Sequence, residues 1–159
     1  MGTPDDAKTK AASTYNSAAD YYDHSANSFW ERFGRRTVER LQLPLGARIL
    51  DVCCGSGASA IPAAEAVGPD GSVLGIDLAE NLLALGSSKA NQRGLKNIQF
   101  RSGDMLQLDL PDASFDAVIC VFGIFFVPDM KSGLRALWRI VRPGGKLAVT
   151  TWGPRFLNP

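Results

Sequence analysis

Residues 49–58, with the sequence ILDVCCGSGA, have types and a spacing that could bind a small charged cofactor. The apolar run before the glycines predicts a buried strand. Gly55 and Gly57 lack a Cβ, which lets the backbone turn tightly and approach a ligand closely. An alanine-rich helix is predicted over residues 59–67, and the unpaired N–H groups of its first turn can bind a carboxylate or a phosphate.

The glycine turn does not by itself select one cofactor. Residues 55–60, with the sequence GSGASA, also fit the relaxed G-x-G-x-x-G/A pattern of dinucleotide-binding turns. A tight connection between a strand and a helix, without any ligand, is compatible with the same residues.

Two further acidic residues follow predicted strands. Residues 72–77 predict a second strand ending at Asp77, and residues 98–105 predict a third strand that leads into Gly103 and Asp104. A carboxylate at the end of a strand can accept hydrogen bonds from the ribose hydroxyls of a nucleoside. Each aspartate, considered alone, could equally be a solvated turn residue.

The elements that must position these residues alternate along the chain. Residues 115–123 predict a fourth strand, residues 143–152 a turn and a fifth strand, and residues 79–93 and 130–141 the later helices. This alternation predicts an α/β fold, doubly wound and Rossmann-like, whose mostly parallel sheet has helices on both faces. A cofactor is then expected at the carboxyl ends of the strands, where the strand order reverses.

Three segments are expected along the chain. Residues 1–14 are predicted to be a flexible N-terminus, residues 15–42 a helical lid, and residues 43–159 the cofactor-binding domain. The lid would comprise two helices, over residues 15–27 and 28–41. A lid matters chemically because it excludes water and holds the reacting partners in line.

The composition indicates a cytoplasmic enzyme domain that has neither a nucleic-acid nor a membrane partner. A chain of 159 residues suits one domain, and its formal net charge of +1 does not favour nucleic-acid binding. No apolar run reaches the roughly 18 residues of a membrane helix. The three cysteines lack metal-ligand spacing, so no metal site is expected. The single histidine, His24, is expected to be a solvated helix residue and not a general base.

The ordered set of motifs resembles that of the class I S-adenosylmethionine-dependent methyltransferases. Within this class it is most similar to the small-molecule branch that includes the ubiquinone/menaquinone C-methyltransferases. The motifs are LDVCCGSG at residues 50–57, GID at 75–77, GD at 103–104, FDAV at 115–118 and RPGG at 142–145. Each is common alone, but the order and the intervals are specific. A nicotinamide-dependent enzyme requires neither the GD nor the RPGG motif, so this alternative ranks below methyl transfer.

The resemblance implies S-adenosylmethionine as the cofactor and assigns the glycine turn to its methionine part. Gly55, Ser56 and Gly57 would pass under that part. Asp51 would hold the turn and reach the ammonium group of the cofactor through water. Cys53 stands where many members of the class have glycine, and it is interpreted as a tolerated small residue.

The resemblance assigns the adenosine part of the cofactor to the next two strand ends. Asp77 would bind the ribose, and Leu78 would lie against the adenine. Asp104, after Gly103, would accept a hydrogen bond from the exocyclic amine of the adenine. Met105 would pack beside the ring.

The reacting end of the cofactor is assigned to the end of the fourth strand and to the lid. Val121 would point its carbonyl toward this end, and Phe122 would form part of the wall. Tyr22 is expected to lie over the cofactor, although Tyr21 and Tyr22 could instead simply pack the lid against the sheet. The resemblance identifies no catalytic residue.

Residues 121–126 indicate the kind of acceptor. They lack the Asn/Asp-Pro-Pro-Tyr/Phe tetrad with which amino-group methyltransferases hold a nitrogen. Their apolar character favours methylation at carbon or oxygen of a small apolar or aromatic molecule.

The end of the chain leaves two hypotheses open. Members of the class continue past the fifth strand with a helix and an antiparallel strand pair. Residues 152–159 leave no room for these elements, so a chain truncated after the fifth strand, with a sheet that lacks this pair, is expected. The chain could be a methyltransferase catalytic domain, or a cofactor-binding module without turnover that acts as a fragment or an interaction partner. An uncovered fifth strand would also favour a homo-oligomer.

Overall fold

The computed structural model describes residues 4–22 and 28–153. The described elements, in chain order, are α1 (Pro4–Tyr22), α2 (Phe29–Leu41), β1 (Arg48–Val52), α3 (Ala60–Val67), β2 (Ser72–Asp77), α4 (Glu80–Gln92), β3 (Ile98–Ser102), β4 (Phe115–Val121), a 3₁₀ turn (Ile124–Phe126), α5 (Met130–Ile140) and β5 (Val141–Thr150). None of these helices combines the length and the apolar character needed to cross a bilayer.

The strands form one parallel sheet in the order β3-β2-β1-β4-β5. The order reverses at β1, which pairs with β2 on one side and with β4 on the other. Both β1 and β4 are nearly continuous apolar runs, as expected of strands that are covered on both faces. The predicted α/β, Rossmann-like fold is therefore confirmed.

Two apolar cores lie on opposite faces of the sheet. On one face, α2, α3 and α4 pack against β1, β2 and β4, with Ile49 and Ile119 fully buried. On the other face, α5 packs Leu137 and Ile140 against Leu50 and the neighbouring strands. Helices on both faces leave the carboxyl ends of the strands as the accessible rim, which is where a ligand site is expected.

The N-terminal segment differs from its prediction. Residues 4–14, expected to be flexible, belong to α1, which begins at Pro4. The helix packs against α4 through a small cluster that includes Tyr15 and Leu82. Residues 23–27 of the predicted first lid helix, which include His24, lie outside the described residues.

The predicted turn before the fifth strand is a bulge within β5. Phe115 pairs with Val141 and Ala117 pairs with Lys146, so residues 142–145 lie opposite Asp116 alone. The carboxylate of Asp116 forms an ion pair with Arg142 and accepts a hydrogen bond from the backbone N–H of Arg48 at 2.7 Å. These contacts attach the irregular start of β5 to the centre of the sheet.

Candidate cofactor-binding site

A cleft opens at the carboxyl ends of the strands and is covered by α1 and α2. Ten of the thirteen cofactor-binding residues predicted from the sequence line it: Tyr22, Cys53, Gly55, Asp77, Leu78, Gly103, Asp104, Met105, Val121 and Phe122. Of the other three, Asp51 and Ser56 are buried, and Gly57 lies in the turn between β1 and α3. The structure thus brings the predicted set together, and contact with a cofactor stays a prediction.

The two glycines of the turn have different tasks. Both are left-handed, with φ of 53° at Gly55 and 87° at Gly57, a conformation that glycine adopts freely. A Cβ on Gly55 would lie 3.7 Å from the tips of Leu82 and Tyr22, two residues that line the cleft. A Cβ on Gly57 would lie 3.0 Å from the side chain of Ile61 in α3. Gly55 therefore leaves space for a ligand, and Gly57 permits close packing of the helix.

Asp77 fixes the glycine turn to the end of β2. Its Oδ2 accepts a hydrogen bond from the N–H of Gly55 at 2.9 Å, and its Oδ1 accepts one from the N–H of Ala79 at 2.9 Å. Burial raises the pKa of Asp77, and these two N–H groups oppose that rise. Each carboxylate oxygen has a second lone pair. Asp77 can therefore hold the turn and accept ribose hydroxyls at the same time.

Asp51 is a fully buried carboxylate with one oxygen unpartnered in the described part of the chain. Its Oδ2 accepts a hydrogen bond from the Ser59 hydroxyl at 2.7 Å, whereas its Oδ1 has no hydrogen-bond partner. Burial raises the pKa of Asp51 to about 7, assisted by the charge of Asp77 and opposed by Ser59. Buried polar atoms are normally hydrogen-bonded. The free oxygen near the glycine turn therefore fits the predicted relay to the ammonium group of S-adenosylmethionine.

The raised pKa of Asp51 predicts a pH dependence of stability. Between pH 4 and pH 7 the unfolded chain loses this proton while the folded chain keeps it, so stability falls as the pH rises, by about 1 kcal/mol per pH unit. Asp51→Asn removes this loss. We expect the stability of the wild type relative to this variant, measured by urea unfolding, to decrease from pH 4 to pH 7. Parallel stability curves for the two proteins would contradict the assignment.

Asp104 is attached both to its own loop and to α1. Its Oδ1 accepts a hydrogen bond from the N–H of Leu106 at 2.9 Å, and its Oδ2 forms an ion pair with the ammonium of Lys8 at 2.5 Å. Lys8 lines the cleft and was not predicted from the sequence. The ion pair holds α1 across the end of the cleft assigned to adenine.

Aromatic residues, among them Tyr15, Trp30, Phe122 and Phe126, line the rest of the cleft. The rings of Phe122 and Trp152 stack with centroids 4.2 Å apart, and Trp30 meets Phe122 edge-on at 5.5 Å. Tyr15 and Phe126 form a second edge-on pair at 5.8 Å. Aromatic faces and edges of this kind bind planar rings well. The cleft therefore joins a polar, glycine-rich end to an aromatic end.

Several residues of the cleft were missed in the sequence. They are Lys8, Ala11, Ala12 and Tyr15 from α1, Trp30 from α2, Cys54, Ala58, Ser59, Ala79, Leu82, Phe126 and Val127. A signal for α1 was present, because Pro4-Asp5-Asp6 is typical of a helix start.

The parallel sheet, the glycine turn and the acidic strand ends together define a Rossmann-like domain of the S-adenosylmethionine-dependent methyltransferase class. Residues 5–153 match the ubiE/COQ5 methyltransferase family. The chain belongs to this family, which confirms the resemblance and the cofactor expected from the sequence.

Relatives and solved structures agree with this assignment. The chain is 45% identical over 108 residues to the demethylmenaquinone methyltransferase of Geobacillus kaustophilus, covering 68% of this chain and 46% of that protein. It is 37% identical over 137 residues to the enzyme of the same name from Anoxybacillus flavithermus, covering 84% and 58%. The chain thus spans about half the length of these curated relatives.

A similar solved structure is a SAM-dependent methyltransferase from Aquifex aeolicus, with a TM-score of 0.74 and 26% identity, covering 91% of this chain and 77% of that one. The [4+2]-cyclase SpnF also matches, with a TM-score of 0.68 and 30% identity, covering 76% and 44%.

Proposed function

We propose that this chain binds S-adenosylmethionine and acts in methyl transfer to carbon or oxygen of a small aromatic acceptor. The finer form of the proposal is carbon methylation of a quinol resembling demethylmenaquinone, the compound in the names of the relatives. The observation that carries the proposal is one cleft that combines the glycine turn, Asp77 and Asp104 with an aromatic wall. The polar end suits the cofactor, and the aromatic wall suits the ring of the acceptor.

The described residues contribute mainly position to this reaction. When bound, S-adenosylmethionine supplies a methyl group activated by its sulfonium. Gly55 gives the room for close approach, and Asp77 and Asp104 offer carboxylate oxygens to the ribose and the adenine amine. The lid, comprising α1 and α2, excludes water and holds the acceptor ring against Phe122. The proposal assigns no residue as a general base.

Cofactor preference is the direct test of this proposal. We expect isothermal titration calorimetry to show binding of S-adenosylhomocysteine and S-adenosylmethionine, with binding of NAD at least about tenfold weaker. The physical reason is that a pyrophosphate would meet two carboxylates in the cleft, Asp77 and Asp104, and the one cation among the described lining residues, Lys8, is already paired with Asp104. Tight NAD binding without any binding of S-adenosylhomocysteine would contradict the assignment of S-adenosylmethionine as the cofactor.

A second candidate function is cofactor binding without turnover. The observation that favours it is the length of the chain, about half that of the relatives, because part of an acceptor pocket can lie in the other half. Methyl transfer from labelled S-adenosylmethionine to a reduced naphthoquinone separates the two. Product formation supports the enzyme, whereas cofactor binding without product supports the module.

We also propose that the isolated 159-residue chain self-associates near β5. Within the described residues β5 pairs only with β4, and Leu147 and Val149 are half-buried. Trp138 of the adjacent α5 is 59% exposed. Unpaired strand edges and exposed apolar surface both favour association. We expect light scattering to report a mass that rises with concentration, whereas a monomer at all concentrations would contradict the proposal.

The remaining partner and location assignments stay proposals as well. A net charge of +1 favours a small-molecule partner over a nucleic acid. A cytoplasmic location is part of the same proposal.

A further inference from the structure

The Cys53 thiol in the floor of the cleft lies against a second thiol, that of the fully buried Cys120. Cys53 follows β1, and Cys120 lies in the neighbouring strand β4. A hydrogen bond with the Cys120 thiol and burial both raise the pKa of Cys53. The sulfur of Cys53 also lies 3.6 Å from the thioether sulfur of Met105. All three cysteines are free thiols in this structure.

The backbone at Cys53 explains how the two thiols meet. In a regular strand Cys53 would point to the face opposite Val52, because side chains alternate. Its φ is 55°, a left-handed conformation that is uncommon for a residue other than glycine. As a result Cys53 packs against the core that contains Cys120, whereas Cys54 belongs to the core on the other face. Uncommon conformations of this kind concentrate at functional sites.

Strand geometry places the two cysteines within range of a disulfide. Asp51 pairs with Ile119, so Cys53 is the diagonal neighbour of Cys120 on parallel strands. A strand spacing of about 4.8 Å and a rise of about 3.3 Å per residue put their Cα atoms roughly 6 Å apart. Disulfides have Cα separations of about 4.4–6.8 Å.

Gly123 leaves the room that this thiol pair occupies. A Cβ at this position would lie 2.5 Å from the Cβ of Cys53, 2.7 Å from its sulfur and 3.0 Å from the sulfur of Cys120. The φ of Gly123 is −107°, which any residue can adopt. Glycine is therefore required here by the two thiols and not by the backbone.

We propose that Cys53, in the floor of the cofactor cleft, forms a reversible disulfide with the buried Cys120. With hydrogen peroxide as the oxidant, the Cys53 sulfur attacks one peroxide oxygen and the O–O bond breaks. The products of this step are a sulfenic acid on Cys53 and one water molecule. The Cys120 sulfur then displaces the hydroxyl group as a second water and forms the S–S bond. Two thiols and one peroxide thus give one disulfide and two waters, and the peroxide takes up two electrons.

The disulfide should reduce cofactor binding. Closing the S–S bond to about 2.05 Å draws Cys53 toward β4. Cys53 lies two residues before Gly55, whose position Asp77 fixes. The disulfide itself does not depend on the reaction of the cleft, and only its effect on binding rests on the proposed function. Because the hydrogen bond with Cys120 and burial raise the pKa of the Cys53 thiol, we expect a slow reaction with peroxide.

Peptide mapping after peroxide treatment for several hours tests the proposal. We expect a mass loss of about 2 Da in the intact chain, a Cys53–Cys120 cross-link, and full reversal by dithiothreitol. Oxidation of Met105 adds an oxygen that dithiothreitol does not remove, so the two products are distinguishable. Prior saturation with S-adenosylhomocysteine should slow cross-linking.

Two variants make the test specific. Cys54→Ala should still form the cross-link, because Cys54 packs on the other face of the sheet, whereas Cys120→Ala should lose it. In the wild type we expect oxidation to weaken S-adenosylhomocysteine binding about tenfold. Free Cys53 and Cys120 after prolonged peroxide treatment, or a cross-link to Cys54, would overturn the proposal. A cross-link with unchanged affinity for S-adenosylhomocysteine would support the proposed disulfide and contradict its proposed effect on cofactor binding.

Discussion

Asp77→Ala is expected to weaken S-adenosylhomocysteine binding about tenfold to a hundredfold, or roughly 1.5–3 kcal/mol. The substitution removes the proposed acceptor of the ribose hydroxyls. It also removes the two hydrogen bonds that hold the N–H groups of Gly55 and Ala79. Both losses act in the same direction, because a looser glycine turn also positions the cofactor less well. Calorimetry on the folded variant measures the effect.

Asp129→Ala is the matched control for this prediction. Asp129 also accepts a hydrogen bond from a backbone N–H two residues later, that of Lys131 at 3.0 Å, but it lies at the N-terminus of α5, outside the set that lines the cleft. Loss of this cap should lower stability slightly and leave affinity unchanged. An unchanged dissociation constant in folded Asp77→Ala would show that Asp77 is only a turn residue.

The sheet and the positions of the acidic strand ends could be predicted because they depend on local sequence. Buried parallel strands are nearly continuous apolar runs, such as residues 49–52, where Asp51 is the one polar residue, and each is followed by a turn residue with a recognisable preference. Asp77 and Asp104 could be placed in one site because parallel strands end at the same edge of the sheet.

The partners of these residues could not be predicted, because they depend on contacts between distant segments. The ion pair of Lys8 with Asp104 joins residues 96 positions apart. The contact of Cys53 with Cys120 depends on the left-handed φ of Cys53, a conformation that the sequence around a cysteine does not indicate. The helix over residues 4–14 was also not predicted, although Pro4-Asp5-Asp6 is typical of a helix start.

Gly34→Ala is expected to destabilise the fold and displace α2 from the cleft. Gly34 is a buried position in α2, and a Cβ there would overlap the backbone of Ala58, 2.5 Å from its carbonyl carbon, and lie 2.9 Å from the nitrogen of Ser59. Backbone cannot rotate away, so α2 must shift. Overpacking lowers the free energy of unfolding by about 1–3 kcal/mol. The higher helix propensity of alanine offsets about 1 kcal/mol of this loss. Because the overlap is with backbone, the upper end of the overpacking range applies, and we expect a net loss of about 2 kcal/mol in urea unfolding.

Gly133→Ala is the control that separates this packing effect from helix propensity. It changes a buried helical glycine in α5, where a Cβ would meet only side-chain tips, Val127 at 3.1 Å and Ile124 at 3.2 Å. These can move, so we expect its stability to stay within about 1 kcal/mol of the wild type. Gly34→Ala should also weaken cofactor binding, because Trp30, one helical turn earlier in α2, lines the cleft. If both variants were equally stable, α2 would not be held by the close approach of Gly34 to Ala58, and its role as part of the lid would need another contact.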